Sequence, residues 1–599
     1  MTPPNRNFLW TSIVVDELAR SGLRAVVIAP GSRSTPLAIA FAEHPDIRVY
    51  SIIDERSAAF FALGHALATD RPVAVVCSSG TATANFYPAI IEARYSGVPL
   101  LIMTGDRPPE LRDSGANQTV DQVKMYGDHV LWSVDVALPE SDPSALAIRS
   151  LRTLACRAYA TANGGATSDG GGGMPRGAVH LNFPFRKPLE PIPVPTDKTD
   201  DLAWVGRTNN EPFTRIGGGA VAPTDHQIDA LIQVLQDAQR GIIIVGSSVD
   251  LRLANELALF AGQAHFPVLA DPLSQIRYNA HWREMETACV GGYDTFLRGI
   301  SAWDKPDLIL RFGAMPTSQS LIDYLNMNGD AYQITFSADG IWKDPNHQID
   351  EFIWANPAEI ARIFSQVAAE TTIGDEAWAE HFRAAESATW DIITRELAGD
   401  FFDGVVVADT VDLLPDGAAL YIGNSLPVRH LDQFARPTPK HIRVFGNRGA
   451  SGIDGMVSSA LGAAAGLDAP LVLVTGDLGF YHDMNGLLAI KRNHVNAIIV
   501  VINNDGGGIF QRLPVAQFDP PYTELFRTPH GMTFDHVAAM YDLDYTQATD
   551  RASFRQAFNA ALTTVKSRST IIEVPTDAIH DLARRNEITQ RVLDAIKTL

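Results

Sequence analysis

The chain has 599 residues, 46% hydrophobic and 20% charged, which is enough apolar material for roughly three or four globular domains. Its 69 acidic residues against 48 Lys and Arg leave a net charge of −21, which excludes a general binder of nucleic acid or anionic membrane. No apolar run approaches the roughly 18 residues of a membrane span, and Cys77, Cys156 and Cys289 lack metal-ligand or redox spacing and read as small core residues.

The N-terminal stretch "MTPPNRNFLWTSIVVDELARSG" has no charged-then-apolar signal pattern and reads as a helix entered after Asn7, so a cytoplasmic protein is the default. Short β-type runs then alternate with helical patterns: "LRAVVIAPGSRS", "IRVYSIIDERS", "PVAVVCSSGTA", "VPLLIMTGDRP". Such alternation predicts doubly wound parallel sheets with helices on both faces, and ligands at the carboxyl ends of the strands. The glycine-rich insertion at 162–177 reads as a mobile surface loop, and the Pro-, Gly- and polar-rich stretch 186–225 as a linker. A second α/β pattern follows, with strands near "GIIIVGS", "FPVLAD", "DLILRFG" and "AYQITFS". The pattern turns helical around 366–400, and a third α/β unit opens near "AALYIGNS". The expected division is an α/β domain at 1–190, a linker at 191–225, a central α/β domain at 226–370, a helical connection at 371–400 and a third α/β domain at 401–599.

The third unit carries the first chemical signal. "LVLVTGDLGFYHDMNG" and "NAIIVVINNDGGGIF" are apolar strands that end in Gly476-Asp477 and in Asn503-Asn504-Asp505 followed by glycines. Each alone is ordinary turn chemistry. Together, one strand–helix–strand unit apart, Asp477 and Asn504 can supply two oxygens to a hard divalent cation. A nearby glycine carbonyl can supply a third, and water and substrate phosphates complete the shell. Glycines beside them let N–H groups approach a diphosphate at a helix start.

That pair resembles the metal–diphosphate signature of thiamine-diphosphate enzymes. The resemblance implies a glutamate in another α/β domain, which activates the cofactor's aminopyrimidine. Glu55, in "YSIIDERSAAFFALGHALA", opens a helix after a strand and fits, although an acid there is otherwise dipole complementation. Further segments narrow the family: "APGSRSTPLAIAF" (29–41), "CSSGTATANFYPAIIEA" (77–93), "MTGDRPPELRDSGANQTVDQ" (103–122), "GNSLPVRHLD" (423–432) and "FGNRGASGIDG" (445–455). Nearly end to end, the chain is similar to the menaquinone-pathway family of 2-succinyl-5-enolpyruvyl-6-hydroxy-3-cyclohexene-1-carboxylate synthases. The fold so implied is α/β, three doubly wound parallel-sheet domains of the thiamine-diphosphate enzyme type.

The resemblance implies decarboxylation of 2-oxoglutarate on thiamine diphosphate and addition of the resulting succinic semialdehyde carbanion equivalent to isochorismate. The cofactor is the electron sink and the protein supplies binding and electrostatics. Asp477, Asn504 and the Gly506 carbonyl would hold Mg²⁺, with Mn²⁺ as the alternative ion. Pro30, Glu55, Ser425, Gly476, Leu478, Gly508 and Ile509 would line the cofactor, and Ile453 would prop it into a bent shape. Ser32, Gln118 and Ser425 are the polar groups assigned near the reacting carbon, Gln118 foremost, with Asn117 beside it. Both substrates are dicarboxylates, and Arg binds carboxylate through a planar fork of donors. Arg33, Arg107, Arg429 and Arg448 fall in the matching motifs, with Phe510 as an apolar wall. Singly each is a surface charge or structural ion pair; four of them in so acidic a chain read as an anion pocket. Arg24 and Arg56 read as solvated or structural, and His430 and His482 as packing or surface residues. One departure stands out: the family carries a basic residue in the middle domain where this chain has Gln319 and Ser320. A homodimer or homotetramer is implied, with each site shared between chains.

Other readings stay open at this level. Another thiamine-diphosphate enzyme, such as an acetolactate synthase or 2-oxoacid decarboxylase, would share Glu55, Asp477 and Asn504, but not a row of arginines. A nucleotide-binding α/β oxidoreductase would need G-x-G-x-x-G after a strand, and "GNRGASG" has the wrong spacing. A non-catalytic scaffold would have no use for all three cofactor residues.

Overall fold

The structure is a computed structural model that describes residues 3–165, 173–199, 206–248, 250–279, 289–300 and 303–599. Among the described residues the strands form three six-stranded sheets, and every pairing between neighbouring strands is parallel. The first contains β1 (Ala25–Ile28), β2 (Arg48–Ser51), β3 (Val73–Cys77), β4 (Leu100–Asp106), β5 (Trp132–Asp135) and β6 (Ala178–Pro184), in the order β2-β1-β3-β4-β6-β5. The second contains β7 (Gly241–Val245), β8 (Val268–Ala270), β9 (Cys289–Val290), β10 (Leu308–Phe312), β11 (Tyr332–Ser337) and β12 (Glu351–Trp354), in the order β12-β11-β10-β7-β8-β9. The third contains β13 (Ala419–Ile422), β14 (Arg443–Phe445), β15 (Leu471–Gly476), β16 (Ile498–Asn503), β17 (Asp544–Gln547) and β18 (Thr570–Pro575), in the order β14-β13-β15-β16-β18-β17.

Burial explains the sequence pattern. The inner strands β3, β4, β7, β10 and β16 are buried at every position, as a parallel strand covered on both faces requires. Four of the six edge strands, β2, β5, β12 and β17, are mostly half-buried or exposed, and so read weakly in the sequence. In the first and third sheets the winding reverses between β1 and β3 and between β13 and β15. Such a reversal opens a crevice at the strands' carboxyl ends.

By its contacts the chain divides into two compact units. The first is Met1–Gly219 with Asn447–Asp468 and His482–Val495, and it contains the first sheet. Inside it, the helix Glu55–Thr69 lies against the helix Met456–Gly466 backbone to backbone. A Cβ at Gly64 would fall 1.8 Å from the Ser459 carbonyl oxygen, and one at Gly462 would fall 2.0 Å from that of Phe61. Asp483 fastens the same two helices. It accepts from Ser458 N–H at 2.6 Å and from the hydroxyls of Ser458 and Ser57 at 3.0 and 3.3 Å.

The second unit is Ala220–Gly446, Ala469–Tyr481 and Asn496–Leu599, and it contains the second and third sheets. Arg277, fully buried, joins elements of both. It pairs with Asp432 at 2.7 Å and donates to the carbonyls of Ala270, Gly291 and Asp432. These bonds offset the cost of removing the charge from water.

The N-terminal helix begins earlier than the sequence suggested. It spans Arg6–Ser21 and is capped by Asn5, whose side chain accepts from the N–H of Asn7 and Phe8. Asn7 lies inside the first turn and instead donates to the carbonyls of Arg186 and Pro188, a tertiary demand that local pattern cannot reveal. Residues 166–172 of the glycine-rich insertion, and 200–205 of the linker, lie outside the described residues. None of the described residues between Pro184 and Asp225 forms a helix or strand. All three cysteines are buried and free, and among the described residues no helix is long and apolar enough to cross a membrane.

Candidate active site

In the first unit the candidates gather at the carboxyl ends of β1, β3 and β4. Pro30 and Ser32 lie exposed after β1. Arg33 donates to the carbonyl of Phe185 at 2.9 Å, and its Nε is buried without a hydrogen-bond partner. Burial lowers its pKa first and the neighbouring Arg107 charge second, with Asp106 opposing. The two guanidinium charges, one after β1 and one after β4, thus repel each other, an arrangement suited to an anion. Arg107 bonds the hydroxyl of Ser79, and Ser79 in turn donates to the Gln118 carbonyl at 3.1 Å. Gln118 sits in the left-handed region at φ 53° and returns a bond from Nε2 to the Ser79 carbonyl at 3.0 Å. Asn117 is exposed beside it. Ser79 escaped the sequence reading although it lies in a quoted motif, because nothing local marks a serine as the joint between two candidates.

Glu55 is half-buried at the first position of its helix, after the cap Asp54. Its carboxylate adds to the burial that pushes the Cys77 thiol up. Arg448 and Ile453 are both half-buried on the turn between β14 and the helix Met456–Gly466. Arg56 is structural, as expected: it donates to the carbonyl of the exposed His482 at 2.6 Å.

In the second unit the turns after β13, β15 and β16 carry the remaining candidates. Asp477 opens a helix directly after Gly476, and Leu478 donates its N–H to the Asp477 carboxylate at 2.6 Å. The other carboxylate oxygen accepts from Gly506 N–H at 2.8 Å and faces His530 Nε2 at 3.3 Å. Burial raises the Asp477 pKa, opposed by these donors. Oδ1 of Asn504 is buried and without a hydrogen-bond partner. Gly506 has φ 123°, and a Cβ there would fall 2.1 Å from the Arg527 carbonyl oxygen, so only glycine fits. Arg527 braces the turn by donating to the carbonyls of Asn504 and Asp505, and Asp505 accepts from the N–H of His530 and Gly531. Arg527 and His530 were missed because they lie on a separate segment beyond the glycines.

Gly508, Ile509 and Phe510 begin the short turn Gly508–Arg512, with the Phe510 ring 5.6 Å from that of Phe526. Ser425 adopts φ 72° and ψ −125°, strained for a serine, and its carbonyl accepts from Arg429 at 2.6 Å. Its neighbour His430 is a core residue, 2.8 Å from Asp403. Gln319 bonds Asp323, and Ser320 and Ser318 donate to Asp294. Arg512, also missed, remains accessible to solvent yet has a pKa lowered to about 10, by surrounding protein first and then by the Arg585, Arg429 and Arg298 charges, with Asp294 opposing.

An orphaned amide oxygen and a desolvated carboxylate are what a hard cation would satisfy, so Asp477, Asn504 and the Gly506 carbonyl fit Mg²⁺ chemically. Among the described residues no group of three or more His, Cys, Asp and Glu could hold a metal. The candidate set has one carboxylate, so it lies outside that pattern.

Three family models match the chain. The N-terminal TPP binding domain of thiamine pyrophosphate enzymes matches residues 10–125, their middle domain 203–422 and their C-terminal TPP binding domain 429–574. A 2-succinyl-5-enolpyruvyl-6-hydroxy-3-cyclohexene-1-carboxylate synthase of Roseiflexus castenholzii is 50% identical over 595 residues, 98% of this chain and 99% of that protein. The synthases of Haloarcula marismortui and Halobacterium salinarum are 45% and 42% identical, covering 100% and 99% of each chain. The chain belongs to this synthase family.

It is accordingly a thiamine pyrophosphate enzyme with the α/β fold. Within the synthase, Pro30 to Gln118 fall inside the N-terminal match and Arg429 to Phe510 inside the C-terminal one. Ser425 lies in the short gap before the latter.

Proposed function

We propose that this synthase decarboxylates 2-oxoglutarate and joins the remaining four carbons to isochorismate, giving 2-succinyl-5-enolpyruvyl-6-hydroxy-3-cyclohexene-1-carboxylate and CO2 for menaquinone biosynthesis in the cytoplasm. The observation that best supports the substrate class is that Arg33 and Arg107, two cations that follow β1 and β4, repel one another in a chain of net charge −21. A site for small or apolar oxoacids would gain nothing from that repulsion, whereas a dicarboxylate relieves it.

Thiamine diphosphate, when bound, supplies the nucleophilic carbon and the electron sink for loss of CO2. Asp477, Asn504 and the Gly506 carbonyl would hold Mg²⁺ against its diphosphate, with the N–H groups of the glycine-rich turn completing the anion site. Glu55 carries a proton between its carboxyl oxygen and the aminopyrimidine. Ile453 and Phe510 exclude water, and Ser32, Asn117, Gln118 and Ser425 orient the reacting carbonyl by hydrogen bonds. Arg33, Arg107, Arg429 and Arg448 bind substrate carboxylates. Arg512 supplies the cation that Gln319 and Ser320 do not: its charge is attracted by Asp294, the carboxylate to which Ser320 donates. Two chains assemble, at least, to build the sites.

The test is consumption of 2-oxoglutarate by the purified enzyme with thiamine diphosphate and Mg²⁺. Turnover that requires isochorismate is expected, and pyruvate turnover at a comparable rate would overturn the reading in favour of another thiamine-diphosphate carboligase. Glu55→Gln should keep weakened cofactor binding and lose turnover by about 10²- to 10⁴-fold. Sedimentation of the cofactor-loaded protein as a monomer would refute the shared site.

A further inference from the structure

The motif at 77–93 contains Glu92, a residue to which the proposed reaction assigns no part. Glu92 lies on the helix Tyr87–Ser96 with only 3% of its surface exposed. Four donors converge on its carboxylate. The N–H of Gly449 and the hydroxyl of Ser96 reach Oε1 at 2.6 and 2.5 Å, and the N–H of Ala450 and Ser451 reach Oε2 at 2.7 and 3.2 Å. Three consecutive N–H groups closing on one anion form the concave cradle that elsewhere binds phosphate. Here the protein fills it with its own side chain.

The grip is tight on both sides. A Cβ at Gly449 would fall 2.6 Å from the Ser96 hydroxyl and 2.7 Å from the Glu92 carbonyl oxygen, so the turn rests directly on the helix. Ser451 is held at φ 62°, a conformation a serine keeps only where its surroundings impose it. Arg448 immediately precedes the gripped segment, and Ile453 follows it by two residues.

We infer that Glu92 is a positioning residue for the synthase reaction: its buried carboxylate sets the 449–451 turn, and through that turn the guanidinium of Arg448 and the side chain of Ile453. The inference rests on the assignment of Arg448 to a substrate carboxylate. Only an ionised side chain with two acceptor oxygens answers four donors at once. A glutamine would turn an NH2 group toward N–H groups and leave some unpaired. Displacing catalytic contacts by about an ångström is enough to cost on the order of 10²-fold.

Two experiments test it. Glu92→Gln, in the enzyme loaded with thiamine diphosphate and Mg²⁺, should lower kcat/KM for isochorismate or 2-oxoglutarate by about 10- to 100-fold. The same change in an Arg448→Ala background should cost much less, because the contact it positions is already gone. Equal losses in both backgrounds would overturn the inference. An inert Arg448→Ala would instead overturn the assignment of Arg448, leaving the clamp to be judged by the second experiment. That experiment is amide hydrogen exchange on the unaltered enzyme, which holds even if Glu92→Gln fails to fold. The N–H groups of 449–451 should be protected although Ala450 and Ser451 are exposed, and free exchange there would overturn the clamp.

Discussion

The turns at 446–455 and 504–508 have opposite chemistry. Both follow a strand of the third sheet and both are glycine-rich. In the first, consecutive N–H groups close on the buried Glu92 carboxylate, so the donors are spent within the protein. In the second, Arg527 braces the carbonyls from outside, and Asn504 Oδ1 is buried without a partner. A buried polar atom left unpaired costs about 1–3 kcal/mol, so a fold that retains one has a use for it. On the proposals above, the satisfied glycine turn positions its neighbours and the unsatisfied one binds.

The largest test of that contrast is Asn504→Leu. Activity should fall by about 10³-fold or more, since the proposed cation ligand is gone. The melting temperature without cofactor should not fall, because an orphaned acceptor is replaced by an apolar side chain of similar size. A clear drop there would show that the 504–508 turn is scaffold too, and the contrast would break.

Mild acid probes the other side. His65 lies on the helix that packs against Met456–Gly466, and His180 lies in β6. Burial lowers the pKa of each to about 4. The unfolded chain protonates first, near the ordinary histidine value of about 6.5. The stability from each neutral ring is therefore intact above that pH and is withdrawn as pH falls toward 4, at roughly 3 kcal/mol each. Melting curves from pH 7 to 4.5 should show this fall, and His65→Gln should flatten it. An unchanged slope would mean the ring is not held neutral.

Gly506→Ala comes next. A Cβ at φ 123° facing the Arg527 carbonyl should cost about 2 kcal/mol or more of stability and weaken metal-dependent cofactor binding, as read by denaturant melts and titration. Smallest is Arg512→Leu, expected to raise KM for one dicarboxylate by about tenfold with kcat little changed, as a lost uniform binding contact does. A fall in kcat alone would place Arg512 in the chemistry instead.

The chain's own pattern determined the three parallel sheets, because inner parallel strands must be apolar on both faces and their loops must carry the polar residues. It also made Asp477 and Asn504 candidates, since ligands that sit at strand ends lie next to a readable run, whereas Glu55 came from the family resemblance. The tertiary structure alone decided how those residues are served. Ser79 joins Arg107 to Gln118, Arg527 and His530 frame Asp477 and Asn504, and Glu92 grips a turn more than three hundred positions later in the chain. Even the N-terminal cap fell to Asn5 rather than Asn7 because Asn7 was needed by the carbonyls of Arg186 and Pro188. Local pattern records what a residue does for its own strand or helix. A hydrogen bond to a distant backbone leaves no period in the sequence, so it becomes visible only when folding brings the two segments within 3 Å or so of each other.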